Sequence, residues 1–312
     1  MDEERKKLVA EFWDRTDKLN IENKDYHSYA KSWISGKLKE DIVDGDLTTN
    51  SLINKNKKIN AVIIAKQDGI VAGIEESLIF DLNITKMKND GDTIKKTDKI
   101  LEINDDAKKI LSHERTLLNL LQRMSGIATQ AFNMQDLIKN NCFIAGTRKT
   151  VLGMLDKKAL SIGGALTHRL DLSDSILIKE NHLQLLGNDF EKALEFANKN
   201  TKTNYIEIEV KNKGEALKAA EALLNLNSKK MFAIMFDNME PSSIRETIKN
   251  INEKIKKDHK NKNSKKIILL EASGGINEKN ILEYSKTGID IISIGALTHS
   301  AKALDFSMDI LE

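Results

Sequence analysis

From residue 141 onward, short apolar runs alternate with stretches of helical periodicity: CFIAGT, SILIKE, YIEIEV, MFAIMFD, KIILLEASGG and GIDIISIGA are the runs. Six such strands separated by helices predict parallel βα units. In folds of that kind the chemistry lies at the carboxyl ends of the strands, where the loops open. Before residue 141 the pattern is mixed. Helical spacing governs DYHSYAKSWISGKLKEDI and the long stretch KKILSHERTLLNLLQRMSGIATQAFNMQDLIK, and NAVIIAKQDGIVAG reads as strand turning at Asp68 and Gly69. This predicts a small α/β unit that ends in a connecting helix.

The strand ends carry an ordered set of chemistry. The first run leads into Arg148 and Lys149, and the following stretch GGALTHRLDLSD supplies His168 and Arg169; the second run ends at Lys179, followed by Glu180, Asn181 and His182. Cations therefore gather at the first two ends. In the third run the two-residue strand period puts Glu207 and Glu209 on one face. Acids on a buried face need partners, because an unpaired buried carboxylate is costly. The fourth run ends in Asp237 and Asn238, the fifth in Ser273, Gly274 and Gly275, and the sixth in Gly295 and Ala296. Small residues at the last two ends let backbone N–H groups approach a phosphate closely.

Each feature has a plainer reading when taken alone. Arg-Lys after a strand is usually a solvated loop start, Ser-Gly-Gly a turn, and IEIEV the exposed face of an edge strand. Only the ordered set overturns these readings. It describes a mouth with a cationic side, two or three carboxylates and a backbone phosphate cradle, which suits a phosphosugar brought with Mg²⁺. His27, His113, His259 and His299 read as structural or surface residues, and His182 as an orienter of its neighbours.

Composition narrows the partners. A chain of 312 residues with 40% hydrophobic content suggests about two domains. Lysine plus arginine (49) nearly balances aspartate plus glutamate (47), so the net charge of +2 gives no reason to expect wholesale nucleic-acid binding. The lysine-rich stretch 254–266 lacks aromatic residues and makes a poor nucleic-acid module. Clusters such as NKNKKIN (54–60) and KKDHKNKNSKK (256–266) read as solvated loops or helix ends. The single cysteine, Cys142, excludes an intramolecular disulfide framework and suits a buried strand position in a reducing compartment. No run approaches the roughly 18 apolar residues of a membrane span, and the acidic start MDEERKK lacks the order of a signal peptide. The expectation is a cytoplasmic protein with neither membrane nor nucleic-acid partners.

These blocks together resemble quinolinate phosphoribosyltransferase. The resemblance runs almost end to end, through EDIVDGDLTT, DGIVAG, ERTLLNLLQRMSGIAT, TRKT, THRLDLSDSILIKENH, IEIEV, FDNM, LEASGGI and GIDIISIGALTHS. It implies an α/β fold: an N-terminal α/β sandwich domain, residues 1–117 with 298–312, joined to an incomplete, open TIM-like α/β barrel at 118–297. It also implies a homodimer or higher homo-oligomer with shared active sites. The implied reaction joins quinolinate to phosphoribosyl pyrophosphate with decarboxylation, giving nicotinate mononucleotide, pyrophosphate and carbon dioxide.

Carried over residue by residue, the resemblance implies that Arg148, His168 and Arg169 bind the two quinolinate carboxylates, joined by Arg115 from the partner subunit. It sets Lys149 and Lys179 near both ligands as bearers of phosphate or carboxylate charge. Glu209 and Asp237 match the acidic pair for the ribose hydroxyls and Mg²⁺, with Glu207 as the alternative to Glu209. Ser273, Gly274 and Gly295 match the 5′-phosphate cradle. The chain departs from the family pattern at Leu152, where proline is usual, at Ala165, where a third glycine is usual, and at Asp171, where glycine is usual. The rival readings are a molybdenum-associated pyrophosphorylase paralogue with a different acceptor, and a non-catalytic metabolite-binding barrel. Retention of LIKENH weighs against the first, and of both Glu209 and Asp237 against the second.

Overall fold

A computed structural model of the chain describes residues 1–53, 57–139, 141–262 and 266–311. Parts of the two lysine- and asparagine-rich clusters therefore lie outside the described residues, as do the side chains of 259–262, His259 among them. The strands are β1 (Lys58–Ala65), β2 (Gly69–Ile70), β3 (Ile84–Lys86), β4 (Thr93–Ile94), β5 (Lys99–Asp106), β6 (Phe143–Ala145), β7 (Ile176–Ile178), β8 (Tyr205–Val210), β9 (Met231–Asp237), β10 (Ile268–Ser273), β11 (Ile291–Ser293) and β12 (Phe306–Leu311). The chain divides into two compact units. The first comprises residues 1–15, 134–148 and 166–296, and the second residues 16–133, 149–165 and 297–312.

The first unit holds all six strands expected after residue 141, in one parallel sheet of order β6-β11-β10-β9-β8-β7. A parallel bridge from Ala145 to Leu166 extends the β6 edge. Helices such as Lys213–Asn225 and Pro241–Lys262 connect the strands, the latter starting at the chain's one proline, where a missing N–H has no cost. The barrel stays open between the Leu166 edge and β7. There Arg15 donates its backbone N–H to the Thr167 hydroxyl (2.8 Å) and its Nε to Asp174 (2.8 Å), while its guanidinium lies over the Tyr205 ring.

The helix Glu3–Trp13 packs on this sheet. Its Val9, Phe12 and Trp13, one helical face by spacing, are buried against Ala145, Leu166, Ala233, Leu269 and Ile291, near the starts of the central strands. Arg5 adds a bidentate pair to the buried Asp290, with Nη2 donating at 2.7 Å. The apolar residues of this helix thus have a defined seat within the first unit.

The second unit is built on an antiparallel sheet of order β12-β1-β5-β3, with β2 and β4 forming a separate ribbon. β1 and β2 do not pair as the stretch around Asp68 and Gly69 suggests. Asp68 instead accepts the Lys96 N–H at 2.8 Å, which ties this turn to the segment after β4 and sends β2 to that strand. The helix Ala107–Leu137 is the long connecting helix the periodicity predicts, and its Leu117, Leu121, Met124, Ile127 and Ala128 are fully buried. Within the second unit it is packed to backbone contact: a Cβ on Gly126 would fall 1.9 Å from the Lys302 carbonyl oxygen.

Candidate active site

The carboxyl ends of the six parallel strands and their bridge partner carry nine of the eleven residues singled out from the sequence. Arg148, His168, Arg169, Lys179, Glu209, Asp237, Ser273, Gly274 and Gly295 all belong to the first unit, and Arg115 and Lys149 to the second. Arg115 is exposed on the helix Ala107–Leu137, and Lys149 is exposed in the loop that follows β6.

Arg169 is 8% exposed and anchors itself by donating Nη1 to the Ser175 carbonyl at 3.1 Å. Burial, then the neighbouring Arg148, holds its guanidinium below the usual arginine range, against the attraction of Glu207, Asp174 and Asp171. Two guanidinium groups close enough to oppose each other's charge form a place where a dianion is stabilised. A planar dicarboxylate answers both forks.

His168 sits on the strained side of the backbone map, at φ +54, and is buried. Its Nδ1 accepts the N–H of Arg169 at 2.8 Å, and its Nε2 lies 3.1 Å from Glu271 and 3.5 Å from Glu207. A ring nitrogen that accepts carries no proton, so the imidazole is the Nε2–H tautomer facing the acids. His168 is thus the post on which the Arg169 backbone is set.

Glu207 and Glu271 lie at adjacent depths of the barrel interior and are almost completely buried. Burial, and next the facing Glu271, push the Glu207 carboxyl well above its ordinary range. Burial likewise pushes Glu271 up to about 7. The Trp13 indole N–H favours the charged form of Glu207 but completes no hydrogen bond of normal geometry. One ligand atom from each of His168, Glu207 and Glu271 falls within 4.8 Å of the others. Sequence reasoning passed over Glu271, although the strand period that pairs Glu207 with Glu209 also pairs Glu271 with Ser273.

Nearer the opening, Lys179 donates to Glu209 at 2.7 Å, and the Lys179 N–H donates to His182 Nδ1 at 2.9 Å. That bond gives His182 the orienting part read from the sequence. In register, Glu209 stands opposite Met235, so Asp237 lies one strand period further along the same face of the neighbouring strand. Two hard oxygen donors at adjacent strand ends fit Mg²⁺, which takes one or two carboxylates and fills its remaining positions with water and substrate phosphate.

The Ser273–Gly275 turn is shaped against Asn238. Asn238 donates its N–H to the Ser273 carbonyl at 2.9 Å and itself has φ +52. Gly274 has φ +93, and a Cβ there would fall 2.5 Å from the Asn238 amide oxygen, so the position admits only glycine. Gly295 lies two residues beyond the register pair Ser273–Ser293, after Ile294. Of the departures from the family pattern, Ala165 is buried, and Asp171 closes a local turn by accepting the Ser173 N–H at 2.7 Å.

A parallel open barrel with cations, acids and a glycine turn ordered around its strand ends defines an α/β-barrel enzyme for anionic, phosphate-bearing substrates. Residues 127–309 match the family model of the quinolinate phosphoribosyl transferase C-terminal domain, and residues 46–125 that of its N-terminal domain. The chain belongs to the quinolinate phosphoribosyl transferase family. A protein of Methanocaldococcus jannaschii designated a probable carboxylating nicotinate-nucleotide pyrophosphorylase is 42% identical over 293 residues, covering 91% of this chain and 98% of that one. The chloroplastic carboxylating nicotinate-nucleotide pyrophosphorylase of Arabidopsis thaliana is 33% identical, covering 85% of this chain and 78% of that one. Among solved structures, the nicotinate-nucleotide pyrophosphorylase of Ehrlichia chaffeensis superposes with a TM-score of 0.77 at 34% identity, covering 90% and 98% of the two chains.

Proposed function

We propose that the chain is a pentosyltransferase that moves the phosphoribosyl group of phosphoribosyl pyrophosphate onto quinolinate with decarboxylation. The products are nicotinate mononucleotide, pyrophosphate and carbon dioxide, a step of NAD biosynthesis. The observation that carries the reading is the opposed pair of an exposed Arg148 and a buried Arg169, which calls for a ligand with two negative groups.

In this reading the two guanidiniums hold the pyridine dicarboxylate so that its ring nitrogen faces the anomeric carbon. His168 keeps Arg169 in place from beneath. Attack by the ring nitrogen expels pyrophosphate, and the pyridinium charge then stabilises the electron pair left on the ring carbon when the adjacent carboxylate departs as carbon dioxide. That carbon takes up a proton to complete the nucleotide. Lys149 and Lys179 balance phosphate and carboxylate charge, and the backbone of Ser273, Gly274 and Gly295 lines the 5′-phosphate. Catalysis here is orientation plus fixed charge.

Glu209 and Asp237 hold Mg²⁺ and face the ribose hydroxyls, where their charge favours the positive character that develops at the anomeric carbon. Bound Mg²⁺ supplies charge neutralisation on the departing pyrophosphate. The chain acts as a cytoplasmic homodimer in which Arg115 of the partner subunit completes each acid pocket; the exposure of Arg115 supports this. None of the helices in the described residues is long and apolar enough to cross a membrane.

The test is product formation from quinolinate and phosphoribosyl pyrophosphate with Mg²⁺, with nicotinate as a parallel acceptor. Release of nicotinate mononucleotide and carbon dioxide from quinolinate alone is the expected result. Turnover with nicotinate instead, or with neither acceptor from folded protein, overturns the reading.

A further inference from the structure

The loop that carries Lys149 is exposed, yet its backbone is held as firmly as a core element. Val151 is 67% exposed, and Lys149 is also on the surface. Beneath them Asp156, in the first turn of the helix Met154–Ile162, is fully buried. Its two oxygens accept four N–H groups. Arg123 supplies two, Nε to Oδ1 and Nη2 to Oδ2, each at 2.8 Å. The backbone N–H groups of Val151 and Leu152 supply the others, to Oδ2 at 2.8 and 3.0 Å.

The same cluster reaches the other side of the loop. Arg123 Nη2 also donates to the Thr298 carbonyl at 2.8 Å, and the Thr298 hydroxyl donates to the Lys149 carbonyl at 2.7 Å. The Tyr29 hydroxyl donates to the Leu152 carbonyl at 3.1 Å. Gly153 then turns with φ +53, and a Cβ there would fall 2.1 Å from the Tyr29 oxygen. From Lys149 to Leu152, two carbonyls and two N–H groups are thus fixed by three side chains, those of Tyr29, Asp156 and Thr298.

A buried carboxylate is expensive unless charge and hydrogen bonds compensate it. Arg123 compensates the charge of Asp156; the loop amides are where its remaining acceptor capacity goes. Leu152 is the informative position. The family pattern has proline there, and proline has no N–H to give. In this chain the departure supplies a donor that Asp156 accepts.

We propose that Asp156 is a positioning residue for the reaction: with Arg123 and Thr298 it fixes the backbone from Lys149 to Leu152 and so sets where the Lys149 ammonium stands. This rests on the reading that Lys149 bears ligand charge. It carries a corollary that opposes the family pattern, because Leu152→Pro, which moves the chain toward that pattern, removes one of the bonds that hold the loop.

The experiment is a double-mutant cycle on turnover together with amide hydrogen exchange. Wild type, Asp156→Asn, Lys149→Ala and the double variant are compared for kcat and KM with each substrate, with Tm measured in parallel. Asp156→Asn is expected to lower kcat/KM about 10–100-fold while the protein stays folded, the cost of displacing one reacting group by about an ångström. The double variant is expected to be no worse than Lys149→Ala, because the first change acts through the second residue. Losses that multiply instead overturn the positioning role.

If Asp156→Asn does not fold, Thr298→Val and Leu152→Pro enter the same cycle in its place, with the same expected and overturning outcomes. The exchange arm needs no turnover. The Val151 and Leu152 amides are expected to be protected in wild type and to lose protection in Asp156→Asn, or in Thr298→Val if that variant replaces it. Fast exchange in wild type, or protection unchanged in the variant, overturns the clamp. Absence of wild-type turnover with quinolinate counts against the function reading and leaves the exchange result to decide the clamp.

Discussion

Glu209 meets Lys179 at 2.7 Å while only 11% of its side chain is exposed, so exchanging its charge for an amide costs a partner as well as an anion. Glu209→Gln is expected to lower kcat by at least about 100-fold, the scale of removing one charge that stabilises a transition state. Steady-state kinetics against Mg²⁺ concentration checks it, and restored activity at high Mg²⁺ would assign the loss to binding alone. Gly274→Ala is expected to act on a different variable. Its methyl must displace the Asn238 amide, so KM for phosphoribosyl pyrophosphate rises about 10-fold or more, with KM for quinolinate little changed. Equal changes in both constants would argue against a phosphate role for this turn.

One prediction at the residue scale concerns stability. Asp90 accepts the N–H groups of Ile74 and Glu75 at 2.9 and 3.2 Å, yet burial, and then Glu76, push its carboxyl up to about 6. Folding therefore favours its protonated form. The stability this contributes is present below the usual value of 3.8 and is lost as pH rises through about 6. Between about pH 4 and 7, Asp90→Asn is expected to gain on the order of 1–2 kcal/mol relative to wild type, after allowance for partial exposure. Denaturant unfolding at both pH values measures this, and a difference that does not change with pH would refute it.

At the scale of elements, period and composition carried a great deal. All six parallel strands were legible because each is an apolar run closed by a chemically distinctive end, and the parallel order made those ends converge. What pattern alone could not convey was pairing. Asp68 and Gly69 mark a real turn, but whether its arms join depends on a bond to Lys96, a residue with no apolar signature. The strand period predicts a face and leaves depth undetermined. Thus Glu207 and Glu209 share a side of β8, yet one is sealed with Glu271 and the other stands near the opening beside Lys179. Asp156 and Thr298 were illegible for a related reason: their partners in the loop are backbone atoms, and main-chain groups look the same at every position of a sequence.

At the scale of the whole molecule, the proposed sharing of active sites between subunits makes a prediction about mixtures. Arg115→Ala and Lys149→Ala proteins, each expected to keep only a small residual activity alone, should recover up to about a quarter of wild-type activity when co-assembled in equal amounts. Half of the dimers would be mixed, each carrying one intact site. Verified mixed dimers with no recovery would count against Arg115 crossing between subunits.

The seat of the helix Glu3–Trp13 has a consequence for the chain's history. Its Arg5 closes a bond with Asp290 at a sequence separation of 285, and its Val9, Phe12 and Trp13 bury themselves on strands made long after them. At synthesis rates of about 5–20 residues per second, those side chains wait roughly 15–60 s for their surface to exist. A segment made early is thus among those that dock late, and through that interval a nascent chain shows water an apolar stripe that the finished protein conceals.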